Sequence, residues 1–274
     1  CGHWKQWSIK VKHGGDRMKV AASDYDGTLF RQDEIAAVDV AGIRKWRAAG
    51  HLFGVVTGRD YDMLAPQLAH YGITFDYAVC NNGGIICRQD GKVLWQGRID
   101  PAVLSSILQV PGVSRSLHYA FSAAGKTFLC HEQEGSWITR EATAWKFPLV
   151  KIRESEVVSL PQIHQLSLGY DDPVEAQAVS DVLNARLGEV IHAYPNRGSV
   201  DITPLGISKQ QGIQQLIGLM GWKDVRVYAI GDETNDLPMI KAFDGYTVDT
   251  ARPVIKQQAQ GSYPGVGAML EANI

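Results

Sequence analysis

The chain has 274 residues, 45% of them hydrophobic and 20% charged, with a formal net charge of −2. That is enough for one large domain or two modest ones, and it gives no electrostatic case for a nucleic acid or an anionic membrane surface. No apolar run approaches the about 20 residues of a membrane helix. The four cysteines, Cys1, Cys80, Cys87 and Cys130, form no C-x-x-C pair or zinc-spaced cluster, so free thiols in a reducing cytoplasm are expected.

Residues 1–17 scatter Trp4, Trp7, His3, His13 and several basic residues without period or an apolar signal core. They read as an extension, disordered or loosely attached, ahead of a folded part starting at Met18. Val20 to Ala22 then reads as a buried strand delivering Asp24 and Asp26 into a turn with Gly27 and Thr28. Two carboxylates this close repel unless a cation lies between them or one keeps its proton. The pair suggests a metal site or an acid beside a nucleophile; plain turn residues are the other reading.

A helix follows, with Asp33 as a cap, Val40, Ile43 and Trp46 on one face, and Gly50 at its end. His51 to Thr57 is a strand running into Thr57-Gly58-Arg59, and a helix from Tyr61 to Tyr71 contains Pro66. Tyr77 to Cys80 is a third strand. The alternation argues a parallel sheet covered by helices.

The pattern then turns antiparallel. Asp90-Gly91 marks a hairpin between 85–88 and 92–96, and Ala-Ala-Gly-Lys marks another between 114–122 and 127–132. Helices are expected after Asp100-Pro101, over 137–146, and over 173–187 with Val174, Ala178, Val182 and Leu183 near one face. Strands are expected over 163–170, 189–194 and 199–203. Alternation returns with a helix over 208–220, a strand over 225–230, a helix over 237–242, a strand over 246–248 and a helix over 253–260. The simplest assembly is an α/β domain built from both chain ends with an α+β unit inserted.

Polar clusters fall at strand ends or helix starts: Asp24/Asp26, Thr57-Gly58-Arg59, Ser208-Lys209, and Asp232 with Asn235-Asp236. In open α/β sheets, ligands bind outside the carboxyl ends of the strands. The carboxylates offer hard oxygen ligands suited to Mg²⁺. Thr57, the Gly58 backbone, Lys209 and Asn235 offer donors to a phosphoryl group. This combination is what phosphoryl transfer requires.

Taken together, Asp24-Tyr-Asp26-Gly27-Thr28, Val56-Thr57-Gly58-Arg59, Gly206-Ile-Ser208-Lys209 and Gly231-Asp232-x-x-Asn235-Asp236 resemble motifs I to IV of the haloacid dehalogenase superfamily, in order. Asn82-Gly83-Gly84, the run from Asp201 to Lys209 and the ending from Gly265 resemble its Cof-type, subfamily IIB sugar-phosphatase-like branch. The resemblance covers about residues 18–271. It implies a Rossmann-like catalytic core from 18–83 and 196–274, and a C2-type cap from 84–195 that selects the substrate. It implies Asp24 as nucleophile and Asp26 as general acid and base. Thr57, Gly58, Lys209 and Asn235 would bind phosphate. Asp24, Asp232 and Asp236 would serve Mg²⁺, with Asp26 contributing its backbone carbonyl. Asp26 favours phosphoryl transfer over C–halogen hydrolysis, whose leaving group needs no acid. The function implied is a cytoplasmic Mg²⁺-dependent phosphatase of small phosphorylated metabolites, sugar phosphates first. Alternatives are a phosphatase of pyridoxal or flavin phosphate, a sugar phosphomutase, or a catalytically dead phospho-ligand binder.

Around these motifs, Arg59 is expected to pair with surface carboxylates. His118, His131, His164 and His192 lack partners at metal spacing and read as structural; Trp95, Trp137 and Trp145 read as packing. Asn196 and Arg197 are the substrate candidates from the inserted unit. Thr250-Ala251 stands where the superfamily often has Asn-Ala, so no site role is assigned there.

Overall fold

The computed structural model describes residues 18–160, 162–196 and 198–274. The expected extension at 1–17 and the candidate Arg197 lie outside the described residues. The chain opens with β1 (Met18–Ser23), α1 (Ala37–Ala48), β2 (Leu52–Val56), α2 (Tyr61–His70) and β3 (Tyr77–Cys80), then a hairpin of β4 (Ile85–Arg88) and β5 (Val93–Gln96). The middle holds α3 (Pro101–Leu108), β6 (His118–Ala123), β7 (Lys126–Cys130), α4 (Trp137–Trp145), β8 (Leu149–Lys151), β9 (Ile163–Gly169), α5 (Pro173–Leu187), β10 (Ile191–Asn196) and β11 (Ser199–Pro204). The last part holds α6 (Lys209–Met220), β12 (Val225–Ile230), α7 (Leu237–Ala242), β13 (Asp244–Val248), α8 (Pro253–Lys256), β14 (Ser262–Tyr263) and α9 (Val266–Ala272).

The larger sheet runs β14-β13-β12-β1-β2-β3-β4-β5. It is parallel from β14 to β3, and the β4–β5 hairpin adds antiparallel strands at its edge. Strand β1 lies between β2 and β12, so the chain moves outward on one side of β1 and later returns on the other. That is the switch point at which open α/β sheets bind ligands. Both faces are covered, because successive strand residues point to opposite sides. Ala21, Phe53 and Val55 pack with Ile43, Trp46, Leu64 and Leu68 of α1 and α2. Val20, Ala22 and Val79 pack on the other face with Ile213 and Leu216 of α6. Trp46 is fully buried, and its indole N–H donates to the Leu52 carbonyl at 2.8 Å, so its polar atom is satisfied.

The smaller sheet runs β10-β11-β9-β6-β7-β8 and is antiparallel except at β7–β8. Alternation again divides its residues. Phe121, Leu166, Leu168, Val200 and Ile202 pack with Ile107 of α3 and with Val179 and Leu183 of α5. Their neighbours Ala120, Ser122, Gln165, Ser167 and Asp201 line a cavity shared with the larger sheet's motif loops. Hairpin β4–β5, expected beyond residue 83, pairs with β3 in the larger sheet, and β11, expected after residue 195, pairs in the smaller one.

Other local readings change. Asp33 does not cap α1: Gln32 and Asp33 both have positive φ in a turn closed by Arg31 and Glu34, and the helix starts at Ala37. On α5 the buried face is Ala176, Val179, Ser180 and Leu183, while Val174 is 74% exposed beside the cap Asp172. Pro66 lies inside α2, within the expected helix. Strands β8 and β14 were not expected; they are three and two residues long and mostly exposed, too short to show a period. Cys80, Cys87 and Cys130 are free and buried. Among the described residues no helix is long and apolar enough to cross a membrane.

Candidate active site

Strand β1 ends between two parallel neighbours, and the Asp24 N–H continues the ladder by donating to the Ile230 carbonyl at 2.9 Å. The chain then turns sharply: Thr28, Leu29 and Phe30 N–H groups all point at the Tyr25 carbonyl. Gly27 has φ +86°, and a Cβ there would lie 2.3 Å from Asp232 Oδ2. Glycine is thus required both for the backbone conformation and for the approach of the β12 loop. Thr28 Oγ1 donates to Asp232 Oδ1 at 2.7 Å, tying the first motif to the fourth.

Ser208 caps α6, accepting from Gln211 N–H at 3.2 Å, and this fixes Lys209 as the first helical residue. The Lys209 ammonium donates to Asp24 Oδ1 at 2.6 Å and to Asp236 Oδ1 at 2.5 Å. Asp236 Oδ2 accepts the N–H groups of Asp232 and Glu233 at 3.0 and 2.9 Å. Asp236 thus spends both oxygens holding Lys209 and shaping the loop after β12. Burial works against the charge on Lys209, but Asp236 and Asp24 hold its pKa above the ordinary value. Burial raises the Asp24 pKa well above the usual carboxylate range, Asp236 adds to that, and Lys209 opposes both. Burial and Asp236 likewise raise Asp232.

Carboxylate oxygens of Asp24, Asp232 and Asp236 lie within 4.8 Å of one another. An all-oxygen set of this density fits a hard divalent cation such as Mg²⁺. The Asp26 side chain takes another course: its two oxygens accept from Arg59 Nε and Nη2 at 2.7 and 2.8 Å. Arg59 also pairs with Glu141 of α4 and sits over the Tyr25 ring, 5.4 Å from its centroid. Arg59 therefore pairs with carboxylates, but inside the cavity with a side chain only 14% exposed, and not at the surface. A fork donor next to two acids was the available sequence signal.

The cavity holds about 340 Å³ and joins Asp24, Asp26, Gly58, Lys209 and Asn235 to the polar face of the smaller sheet. Thr57 is buried, with its hydroxyl accepting the Arg59 N–H at 3.1 Å. Asn196 lines the cavity, as does Trp137, which was read as packing only. Asp60, Ser122, Gln165 and Ser167 are not singled out by the sequence, and Asp201 enters only as the start of a family run; for the four on the smaller sheet the legible signal is the alternation in β6, β9 and β11, and Asp60 stands just ahead of α2. Asp60 is buried with Oδ2 accepting the Ser122 and Thr127 hydroxyls at 2.9 and 2.6 Å, and burial lifts its pKa to about 6. His118 and His164 are buried in the smaller unit; Ser136 bonds the first and Asn81 the second, and desolvation lowers both to about 4.

An α/β sheet with acids and a lysine converging at its switch point matches what the family comparison finds. Residues 21–263 match the haloacid dehalogenase-like hydrolases, and the chain belongs to that family. It is similar to the pyridoxal phosphate phosphatase YbhA of Escherichia coli, 24% identical over 254 residues that cover 88% of this chain and 91% of the relative. It is also similar to the 5-amino-6-(5-phospho-D-ribitylamino)uracil phosphatase YbjI of E. coli, 23% identical over 82% of each chain. Among solved structures, the subclass IIB sugar phosphatase BT4131 superposes with a TM-score of 0.71 at 18% identity, over 93% of this chain and 97% of that one. The chain is accordingly an enzyme of the hydrolase class.

Proposed function

We propose that this protein is a Mg²⁺-dependent phosphatase of small phosphomonoesters, with sugar phosphates as the preferred class. The carrying observation is the clustering of Asp24, Asp232 and Asp236 at the β1 switch point, with Lys209 bonded to Asp24 and Asp236. Asp24 is the nucleophile: its carboxylate attacks phosphorus, the bond to the leaving oxygen breaks, and an aspartyl-phosphate forms. Asp26 gives a proton to the leaving alkoxide and then takes one from the water that hydrolyses the acyl-phosphate. Lys209, Thr57, the Gly58 backbone and Asn235 bind phosphoryl oxygens. Asp24 and Asp232 with their side chains and Asp26 with its backbone carbonyl would hold Mg²⁺, and Asp236 would serve it by holding its waters and orienting Lys209; the ion would supply charge neutralisation on the phosphoryl oxygens.

The larger sheet with its helices is the catalytic core, and the smaller sheet with its helices is the cap that selects the leaving group. Hydroxyl, amide and carboxylate groups at Ser122, Gln165, Ser167 and Asp201 suit a leaving group rich in hydroxyls, which supports the sugar phosphate reading. Trp137 in the lining, with the likeness to a pyridoxal phosphate phosphatase, supports a second reading, an aromatic phosphate such as pyridoxal or flavin phosphate.

Replacing Asp24 with Asn tests the mechanism. Hydrolysis of a generic aryl phosphate in Mg²⁺ should fall about a thousand-fold or more. Turnover surviving the change would rule out the nucleophile, and turnover surviving in chelator would rule out the metal. A panel of sugar, pyridoxal and flavin phosphates ranked by kcat/KM separates the two substrate readings.

A further inference from the structure

Strand β3 turns into the β4–β5 hairpin through Asn81 and Asn82, both buried and both left-handed, with φ of 52° and 53°. A residue with a Cβ pays about 1–2 kcal/mol for that conformation, although asparagine tolerates it better than most. Glycine would adopt it without that cost, and the next residue is glycine: Gly83 has φ +102°, and a Cβ there would lie 2.2 Å from the Ser208 carbonyl oxygen. The left-handed backbone alone therefore does not account for an asparagine at 82. Its amide does.

Asn82 Oδ1 accepts from Asn235 Nδ2 at 3.0 Å. Its Nδ2 donates to Gln165 Oε1 and to Asp201 Oδ2, each at 3.2 Å. A carboxylate only accepts, so Asp201 sets which end of the amide faces the cap. The Asn82 N–H donates to the Thr57 carbonyl at 2.9 Å, and Gln165 donates in turn to the Gly58 carbonyl at 2.9 Å. The buried Asn82 side chain thus joins the loop after β12 to two strands of the smaller sheet, while its main-chain N–H and Gln165 hold the loop after β2. Asn235, Gly58, Gln165 and Asp201 all line the cavity.

We infer that Asn82 is a positioning residue that couples cap docking to the phosphate-binding groups. With the cap seated, Gln165 and Asp201 fix the Asn82 amide, and that amide orients Asn235. With the cap displaced, the donors on Nδ2 lose their acceptors, and Asn235 and the Gly58 carbonyl lose their bracing together. The inference rests on the phosphatase reading above.

Asn82→Gly tests it, because glycine keeps the left-handed backbone and deletes only the amide. The variant should keep its circular dichroism and a melting temperature at or near that of the wild type. Its kcat/KM for an aryl phosphate should fall about 10–100-fold. In a double-mutant cycle with Asn235→Ala the losses should be non-additive, since both changes remove one bond. Wild-type kcat and KM in Asn82→Gly, or additive losses, would overturn the coupling. Hydrogen–deuterium exchange reads the same joint without turnover: Asn82→Gly should raise exchange both in β9 and β11 and in residues 231–236. A change confined to one side would overturn the inference. A wild type that hydrolyses no phosphomonoester would instead count against the phosphatase reading, and the exchange result would still decide the coupling.

Discussion

Replacing Lys209 with methionine removes the cation between Asp24 and Asp236 and keeps most of the apolar stem. The ammonium is 2.6 Å from one carboxylate and 2.5 Å from the other, on a side chain 2% exposed. Deleting one partner of a buried pair costs about 3–5 kcal/mol, because the remaining charge stays desolvated. Here two carboxylates are left, with Asp232 close by, so the upper end of that range is expected in metal-free protein near about pH 8. Protonation of Asp24 is the available relief, since burial and Asp236 already raise its pKa and Lys209 is the group opposing them. A carboxyl whose folded pKa lies above its unfolded value takes up a proton on folding. Its contribution is then fully present below the unfolded pKa and is lost as pH rises through the folded one. The deficit of Lys209→Met relative to wild type should therefore shrink by about 1–2 kcal/mol between about pH 8 and pH 5.5. Urea denaturation in chelator at both pH values measures it. A deficit below about 1 kcal/mol at the higher pH, or an equal deficit at both, would refute the buried-triad account. Adding Asp236→Asn to Lys209→Met should recover part of the loss, because one fewer charge is left without a partner.

The Asp60 carboxyl, lifted by burial from 3.8 to about 6, favours folding at low pH and loses that contribution as pH rises to about 6. Asp60→Asn should flatten the stability curve across that window by up to about 3 kcal/mol, as read by melting temperature against pH; a curve parallel to wild type would contradict the assignment. Arg59→Lys removes the two-pronged grip on Asp26 and the bond to Glu141 but keeps the charge. The expected result is a fall in kcat/KM of about 10–100-fold; unchanged kinetics would show that Asp26 needs no orienting partner.

How legible the site was depended on distance along the chain. Asp24, Asp26, Thr57, Lys209 and Asp232 could be read because each cluster is local: strand, turn and helix start fall within a few residues, and the apolar runs of β1, β2 and β12 announce where they end. The inserted unit was read less well. Its strands carry two requirements at once, one face for α3 and α5 and one for the cavity, so Ser122, Gln165, Ser167 and Asp201 look like ordinary solvent-facing residues until the second sheet is placed. Short exposed strands such as β8 and β14 carry no period at all.

Asp24 and Asp26 show the division clearly. Sequence by itself determined that two acids leave β1 in a glycine turn, with a lysine and further acids downstream at like positions, and with them the α/β class. Only the tertiary structure decided how the pair separates. Asp24 faces Lys209 and the other acids, whereas Asp26 is held by Arg59 and, through it, by Glu141 of α4. Those partners lie tens to hundreds of positions away in the chain, and a side chain's charge neighbours are set by packing between elements, which local sequence does not encode.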